Sequence, residues 1–396
     1  MQTKPESPND LPEPDAESAD HSERVRAHIN NIIEEAGGSI SFADYMQHAL
    51  YAPGLGYYSA GATKIGAAGD FVTAPEISPL FGRVLARQSA FVLEQLRGGE
   101  VLEPGAGTGA LAASMLAKLD ELDALPNRYL ILEVSADLKE RQETRIRREC
   151  PQHLDRVIWV SELPTDFTGV VVANEVADAI PVERFRIHDG DVMRASVATD
   201  GGKLAWQYDV APDLLREAVR GIEADLGQNF ANGYESEISL GLTSWVTDLS
   251  KSVRKGAVLL IDYGVTRREY YAPERVHGWL RCHFRHHAHN DPLLLPGIQD
   301  LTAWVDFSAV AQAASDAGMC VAGYVTQAHF LMTGGLEEEL AEFTTLPIER
   351  QVQLSGQVKL LTLPAEMGEN FKCIGLTRGH IVPPPALVGS DRAHLL

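Results

Sequence analysis

Cysteine, positive charge and long apolar runs are all scarce in this chain of 396 residues. The four cysteines lie far apart and form no CxxC pair, which excludes a cysteine zinc ribbon and a disulfide scaffold and fits a reducing compartment. No apolar run approaches the roughly 18 residues of a membrane-spanning helix, so we expect no stable membrane insertion. Hydrophobic residues still make up 45% of the chain, which is enough to build a sizeable core.

The balance of charge is acidic, with 34 Lys and Arg residues against 55 Asp and Glu residues and a formal net charge of −21. Proteins that bind nucleic acid or anionic membranes usually carry a basic face, so this balance disfavours both kinds of partner. The N-terminus lacks the basic start and apolar core of a secretory signal and is too acidic for a mitochondrial presequence. We therefore predict a soluble cytoplasmic protein.

Short apolar runs alternate with helical patterns from residue 99 onward. Fully apolar strands separated by helices indicate βαβ units and a parallel sheet covered on both faces, which is the α/β class. The predicted core strands are 100–103, 129–133, 157–160, 169–173, 257–263 and 372–377. The predicted helices include 80–96, 109–119, 136–149, 212–227, 236–254, 305–318 and 337–354.

The regions outside this pattern are too long to be loops, so we predict that they cap the sheet. The first 21 residues are rich in Pro, Glu, Asp and Ser, and they cannot bury enough surface to offset the entropy of ordering. The predicted division is a disordered tail over 1–21, an N-terminal cap and active-site loop over 22–98, a core over 99–264 with an antiparallel excursion within 183–235, a cap or substrate region over 265–365, and a last core strand and C-terminal tail over 366–396.

The sharpest motif is VLEPGAGTGAL at 101–111, where glycines alternate between an apolar strand and a helix. The spacing E-x-G-x-G-x-G, from Glu103 through Gly105 and Gly107 to Gly109, differs from the G-x-G-x-x-G that binds pyrophosphate in nicotinamide and flavin folds. A carboxylate ahead of the loop attracts a cation and repels a pyrophosphate. S-adenosylmethionine (SAM) carries cationic groups and no phosphate, so the motif favours SAM; a glycine-rich turn without a ligand is the alternative.

Polar side chains also follow the second and fourth predicted core strands, at the carboxyl ends where a site for an adenosyl group would lie. Glu133 ends the apolar run YLILE, where a carboxylate can accept hydrogen bonds from both ribose hydroxyls. Asn174, Glu175 and Asp178 follow the fourth strand, whose carboxyl end faces the methyl group and its acceptor in methyltransferases of this architecture. We predict Asn174 as a cofactor contact. The alternatives are a solvated glutamate at a strand end and an ordinary helix start with Asn174 as its N-cap.

Seven segments carry a more specific signal than the glycine loop. They are GDFVTAPEISPLFG (69–82), LEPGAGTG (102–109), EVSADL (133–138), NEVADAIPVERF (174–185), IDYG (261–264), HNDPLLLPGIQDLTAWVDF (289–307) and MGENFKCIGLTRG (367–379). In this order they resemble the MidA-type methyltransferases over roughly residues 40–380. The resemblance implies a class I SAM-dependent methyltransferase with a Rossmann-like core, a mostly parallel seven-stranded sheet, and added N-terminal and inserted helical cap elements.

The family resemblance also implies a class of substrate. The mitochondrial member of the family is a protein-arginine methyltransferase required for respiratory complex I assembly, and it symmetrically dimethylates an arginine of the 49 kDa subunit. We therefore expect a protein substrate with arginine as the favoured acceptor, and a complex I subunit of the 49 kDa type is one candidate partner.

Arginine methylation needs carboxylates, because a guanidinium stays protonated in water with a pKa above about 12. The enzyme must hold this cation and accept a proton as one nitrogen attacks the methyl group. We predict Glu76, Glu175 and Asp178 as the catalytic carboxylates. Thr73 and Ser78 can donate hydrogen bonds to the carboxylate of SAM, or they can simply cap the helix that follows.

Two other functions remain open from the sequence. One is a small-molecule O- or N-methyltransferase, and the other is a SAM-binding assembly factor without enzymatic activity. A closed apolar pocket would favour the small molecule, whereas an open acidic cleft would favour a protein. The histidine-rich segment 277–289 contains no HExxH pair, and we predict no metal site there.

Overall fold

A computed structural model describes residues 11–60 and 72–396 of the chain. In chain order the strands are β1 (Ser39–Ser41), β2 (Glu100–Pro104), β3 (Tyr129–Leu132), β4 (Val157–Val160), β5 (Phe167–Asn174), β6 (Glu183–His188), β7 (Asp191–Asp200), β8 (Lys203–Val210), β9 (Glu235–Ile238), β10 (Val253–Val265), β11 (Arg281–Phe284), β12 (His287–His289), β13 (Asp300–Thr302), β14 (Val305–Asp306), β15 (Cys320–Thr326) and β16 (Phe371–Arg378). The helices are α1 (Ala16–Glu35), α2 (Phe42–Tyr51), α3 (Ala74–Ile77), α4 (Pro79–Leu96), α5 (Ala110–Glu121), α6 (Ala136–Glu149), α7 (Asp213–Leu226), α8 (Leu240–Ser252), α9 (Arg267–Tyr270), α10 (Phe307–Asp316), α11 (Gln327–Leu331), α12 (Glu337–Glu339), α13 (Ile348–Thr362) and α14 (Met367–Asn370).

The central sheet has the strand order β15-β16-β10-β5-β2-β3-β4, with the short β14 beside β10. Strands β10, β5, β2, β3 and β4 are parallel neighbours, and β16 runs antiparallel to the strands on both of its sides. All six predicted core strands are present, which confirms the mostly parallel sheet. The pattern misses β15 because Gly323 interrupts its apolar run; an added Cβ there would lie 2.6 Å from the carbonyl oxygen of Leu387.

Successive residues on the central strands point into two separate hydrophobic cores. Val101 and Tyr129 pack on one face of the sheet with helices α4 and α5. Leu102 and Val171 pack on the opposite face with helices α8 and α10. Because both faces are covered, the parallel strands are apolar throughout rather than alternating. The carboxyl ends of the parallel strands therefore remain as the edge where polar segments can meet.

The cap contains two antiparallel sheets as well as helices. The antiparallel excursion predicted within 183–235 forms β6, β7 and β8, and these strands are joined by β1 and β9. The second sheet has the order β12-β11-β13. The expectation of helical cap elements is therefore incomplete, because half-buried and buried side chains alternate along β11 with the period of a strand.

The first helix begins earlier than the predicted tail allows. Helix α1 starts at Ala16 because Asp15 caps it, accepting a hydrogen bond from the Ser18 N–H at 2.8 Å. Residues 1–10 of the predicted tail lie outside the described residues. Neither α1 nor any other helix within 11–60 and 72–396 is long and apolar enough to cross a membrane.

The single helix predicted over 337–354 is divided in the structure. Helix α12 is followed by a 3₁₀ turn at Phe343–Thr345, and the longer α13 then begins at Ile348. Pro347 lies directly before α13. A proline cannot continue a preceding helix but is favourable at the start of a new one, so the division follows from this residue.

Replacing Phe81 with alanine tests the larger core. Phe81 is fully buried on α4, so Phe81→Ala should lower the free energy of unfolding by about 3–5 kcal/mol. Urea unfolding followed by circular dichroism measures this change. The control Ile348→Ala removes a side chain that is 69% exposed and should change the free energy of unfolding by less than about 0.5 kcal/mol. Equal losses in the two variants would contradict the assigned core.

Candidate active site

A cavity of about 300 Å³ opens at the carboxyl ends of the parallel strands, where open α/β sheets bind ligands. The glycine loop after β2, the ends of β3 and β5, and tyrosines of the N-terminal region line this cavity. No Lys, Arg or His side chain is among the described residues that line it. Its lining is therefore strongly acidic, with the carboxyl groups of Glu103, Glu133, Glu175, Asp178 and Asp300.

The glycine loop turns through left-handed backbone conformations that favour glycine. Gly105 has a φ of 65° and Gly107 a φ of 52°, and both line the cavity. Gly109, with a φ of 83°, instead faces helix α6, where an added Cβ would lie 3.1 Å from the Cα of Gln142. The structure thus brings two of the three predicted glycines to the cavity and gives the third a packing contact.

Glu103 lies at the end of β2 and is almost fully buried. Its Oε2 accepts a hydrogen bond from the hydroxyl of Tyr129 at 2.5 Å. Burial raises the pKa of the Glu103 carboxyl to about 7, although the bond from Tyr129 partly opposes this shift. A carboxylate with only this neutral partner gains stability when a cation binds beside it.

Glu133 reaches the cavity from the end of β3. Its Oε1 accepts a hydrogen bond from the backbone N–H of Ser135 at 2.8 Å, and its Oε2 accepts one from Nε2 of Gln142 at 2.9 Å. Burial raises the pKa of this carboxyl. Each carboxylate oxygen has a second lone pair, so both oxygens can still accept hydrogen bonds from ribose hydroxyls.

The turn after β5 carries the predicted acidic pair. Glu175 has a φ of 51°, in the left-handed region that non-glycine residues seldom occupy. Asp262 of the neighbouring β10 holds this turn, because its Oδ2 accepts hydrogen bonds from the three backbone N–H groups of 176–178 at 2.9 to 3.2 Å. Burial raises the pKa of Glu175 to about 7, and burial together with repulsion from Glu175 raises the pKa of Asp178 to about 7.

The lining residues that sequence reasoning missed include one carboxylate and three tyrosines. Asp300 of β13 accepts a hydrogen bond at Oδ1 from the hydroxyl of Tyr58 at 2.9 Å. The rings of Tyr51 and Tyr58 stack with their centroids 5.5 Å apart, and Tyr263 lines the same space. The signal for Asp300 was its position within the family segment 289–307, but nothing in that segment singles it out from its neighbours.

The predicted catalytic residue Glu76 lies outside the cavity lining. It forms an ion pair with Arg145 of α6 and accepts a hydrogen bond from the hydroxyl of Thr108 in the glycine loop. The geometry therefore corrects its predicted role, because Arg145 already balances its charge. Glu76 instead ties α3 to the glycine loop through its hydrogen bond from Thr108. Thr73, just before α3, lines the cavity.

Ser78 also lies away from the cavity, which corrects its predicted contact with the cofactor. It is fully buried, caps α4 by accepting from the Leu80 N–H at 3.3 Å, and donates to Oε1 of Gln357 at 2.9 Å. The capping alternative is therefore the one realised. Asn174 does line the cavity, and its Oδ1 is buried without a hydrogen-bond partner in the described structure.

The lining fits SAM rather than a dinucleotide. An amide oxygen and several carboxyl groups can accept hydrogen bonds from an ammonium group and from ribose hydroxyls and can attract a sulfonium. The same groups would repel a pyrophosphate. Within the described ranges, no group of three or more His, Cys, Asp and Glu side chains converges on a point that could hold a metal ion.

Comparisons with known proteins agree with this geometry. Residues 84–325, more than half of the chain, match the model of a family of S-adenosyl-L-methionine-dependent methyltransferases. The "Protein arginine methyltransferase NDUFAF7 homolog, mitochondrial" of Drosophila melanogaster is 29% identical over 95% of this chain and 90% of its own. The "Protein arginine methyltransferase NDUFAF7, mitochondrial" of Danio rerio is 28% identical over 85% of this chain and 83% of its own. A Burkholderia thailandensis crystal structure bound to S-adenosyl-homocysteine (SAH) is 38% identical, covers 98% of this chain and 100% of that chain, and has a TM-score of 0.93.

The names of these relatives contradict the predicted cytoplasmic location. The proteins of Drosophila melanogaster and Danio rerio are both named as mitochondrial, and so is the similar protein of Xenopus tropicalis. The prediction was wrong because it rested only on the lack of a recognisable targeting signal.

The ordered motifs, the matched family model and the SAH-bound structure agree on one cofactor and one class of fold. SAM is the cofactor, and the fold is that of the class I methyltransferases. This chain therefore belongs to the MidA-type family of SAM-dependent methyltransferases.

Proposed function

We propose that this methyltransferase transfers the methyl group of SAM to a guanidinium nitrogen of an arginine in a protein substrate. The observation that carries the proposal is the acidic lining around Glu175 and Asp178, which includes no Lys, Arg or His side chain among its described residues. A guanidinium is permanently cationic, and its fork of N–H donors matches carboxylates. The names of the relatives, which are protein arginine methyltransferases, support the same acceptor.

Bound SAM supplies an electrophilic methyl group carried on a sulfonium. The chain's own residues must hold the guanidinium, exclude water and accept a proton. Glu175 and Asp178 suit the first and third tasks, because carboxyl groups with a pKa near 7 can hold or release a proton at neutral pH. As a guanidinium nitrogen bonds to the methyl carbon, the carbon–sulfur bond breaks and the proton on that nitrogen passes to one of these carboxylates.

The tyrosines complete the proposed acceptor site. The stacked rings of Tyr51 and Tyr58, together with Tyr263, offer aromatic faces that attract a planar cation and exclude water from it. A protein substrate is favoured over a small molecule because the relatives that match most of this chain are named protein arginine methyltransferases. The first protein to test is a complex I subunit of the 49 kDa type, which the family resemblance implies for the mitochondrial member.

Replacing Glu133 tests how the cofactor is held. Glu133→Gln removes the negative charge of the carboxylate that accepts hydrogen bonds from the ribose hydroxyls. SAM should therefore bind about 10-fold more weakly or worse. Calorimetric titration of the purified protein with SAM measures the affinity. The control Glu140→Gln changes an exposed glutamate on the adjacent helix and should bind SAM like the unchanged protein. Equal affinity in all three proteins would overturn the assignment of Glu133.

A labelled-methyl assay tests the acceptor. The purified protein, supplied with SAM carrying a labelled methyl group, should label protein in a mitochondrial extract, and acid hydrolysis should release the label as methylarginine. Glu175→Gln and Asp178→Asn should each reduce labelling by at least about 100-fold while SAM binding persists. The exposed control Glu342→Gln should label normally. Label found only in small molecules would favour the small-molecule alternative, and no label at all would favour the non-enzymatic one.

The raised pKa of Glu175 predicts how stability depends on pH. Its carboxyl keeps a proton up to about pH 7 in the folded protein, whereas the unfolded chain releases that proton near its ordinary value of 4.5. The folded state therefore binds the extra proton between these values, and the free energy of unfolding falls as pH rises from 4.5 to 7. Glu175→Gln should reduce this slope by about 1.4 kcal/mol per pH unit near pH 6, measured by urea unfolding. An unchanged slope would contradict a protonated Glu175.

A further inference from the structure

Gln142 of α6 joins three parts of the cofactor site without lining the cavity. Its side chain is fully buried. Nε2 donates one hydrogen bond to the carbonyl oxygen of Gly107 at 3.0 Å and another to Oε2 of Glu133 at 2.9 Å. Oε1 accepts a hydrogen bond from Nε1 of Trp159 at 2.8 Å. The amide thus connects the glycine loop, the end of β3 and β4.

These partners allow the amide only one orientation. The carbonyl of Gly107 and the carboxylate of Glu133 both accept hydrogen bonds, so they require the NH₂ group. The indole N–H of Trp159 can only donate, so it requires the oxygen. A flipped amide would face two acceptors with its oxygen and a donor with its NH₂, and all three bonds would be lost.

The backbone of Gln142 is held as closely as its side chain. Helix α6 approaches the glycine loop so tightly that a Cβ on Gly109 would lie 3.1 Å from the Cα of Gln142. The helix is also tied to the loop by Arg145, whose Nη1 donates a hydrogen bond to the hydroxyl of Thr108 at 2.6 Å. The position of the amide relative to the glycine loop is therefore set by packing on both sides.

We propose that Gln142 is a positioning residue for SAM binding, which holds the carboxylate of Glu133 and the loop at Gly107 in the geometry that receives the adenosyl group. It acts through its neighbours, because it donates to Gly107 and Glu133, which line the cavity, while Gln142 itself does not. The bond from Gln142 and the bond from Ser135 together fix the plane of the carboxylate. The inference rests on the proposed role of Glu133 and needs no assumption about the methyl acceptor.

The test is a double-mutant cycle on cofactor affinity. Gln142→Leu keeps the approximate size of the side chain and removes all three hydrogen bonds. In the otherwise unchanged protein it should weaken SAM binding by about 10-fold, because Glu133 can then leave its binding orientation. In the Glu133→Gln background the same change should weaken binding by less than about 3-fold, since its main target is already lost. Calorimetric titration with SAM measures all four proteins.

Three further readouts separate positioning from general damage. SAM and SAH carry the same ribose, so Gln142→Leu should weaken the binding of both by the same factor. In the labelled-methyl assay it should raise KM for SAM and leave kcat unchanged at saturating SAM. Trp159→Phe removes only the bond to Oε1 and should weaken SAM binding by a smaller factor than Gln142→Leu, which keeps the proposal testable if the leucine variant unfolds.

Two results would overturn the inference. One is equal loss of SAM affinity on Gln142→Leu in both backgrounds, which would indicate a structural contribution independent of Glu133. The other is unchanged affinity in a folded Gln142→Leu protein. Because the binding titrations require only SAM and SAH, their outcome does not depend on whether arginine is the acceptor. A failure of the labelled-methyl assay alone would therefore count against the proposed acceptor and leave the role of Gln142 intact.

Discussion

The acidic lining of the cavity is the constraint on which the rest of the site depends. Several carboxyl groups share a small space that includes no cationic side chain among its described lining residues, and burial opposes their ionised forms. The sulfonium and ammonium groups of SAM offset this unfavourable arrangement, and so would the guanidinium of the proposed acceptor. The same chemistry excludes the pyrophosphate of a dinucleotide, so a glycine loop at the end of β2 serves a different cofactor here.

Such a site needs support from residues that do not line it. Asp262 holds the left-handed turn at Glu175 through backbone N–H groups, and the hydrogen bond from the hydroxyl of Thr108 to Glu76 holds α3 against the glycine loop. Gln142 connects that loop to Glu133. All these contacts join neighbouring segments at the carboxyl edge of the sheet, so each fixes a loop that the parallel strands alone would leave without lateral support.

The cap completes the acceptor end of the cavity. Tyr58 comes from the turn after α2 and Asp300 from β13, and their hydrogen bond joins the N-terminal region to the inserted region across the mouth of the core. A class I methyltransferase core supplies the cofactor site and the turn after β5. The segment of α2 and the following turn bring Tyr51 and Tyr58 to the cavity, and the inserted sheet brings Asp300.

Local patterns in the sequence determined the core strands, the glycine loop, the acidic ends of β3 and β5, and the cofactor they favour, because strand burial and tight turns depend on neighbouring residues. They could not determine that Glu76 meets Arg145 or that Ser78 serves as a cap, since both partnerships depend on which helices pack together. Asp300 and Gln142 were missed for the same reason. The sequence around a carboxylate or an amide does not reveal its role. Only the packing of distant segments decided that Asp300 faces the cavity and that Gln142 holds Glu133 in place.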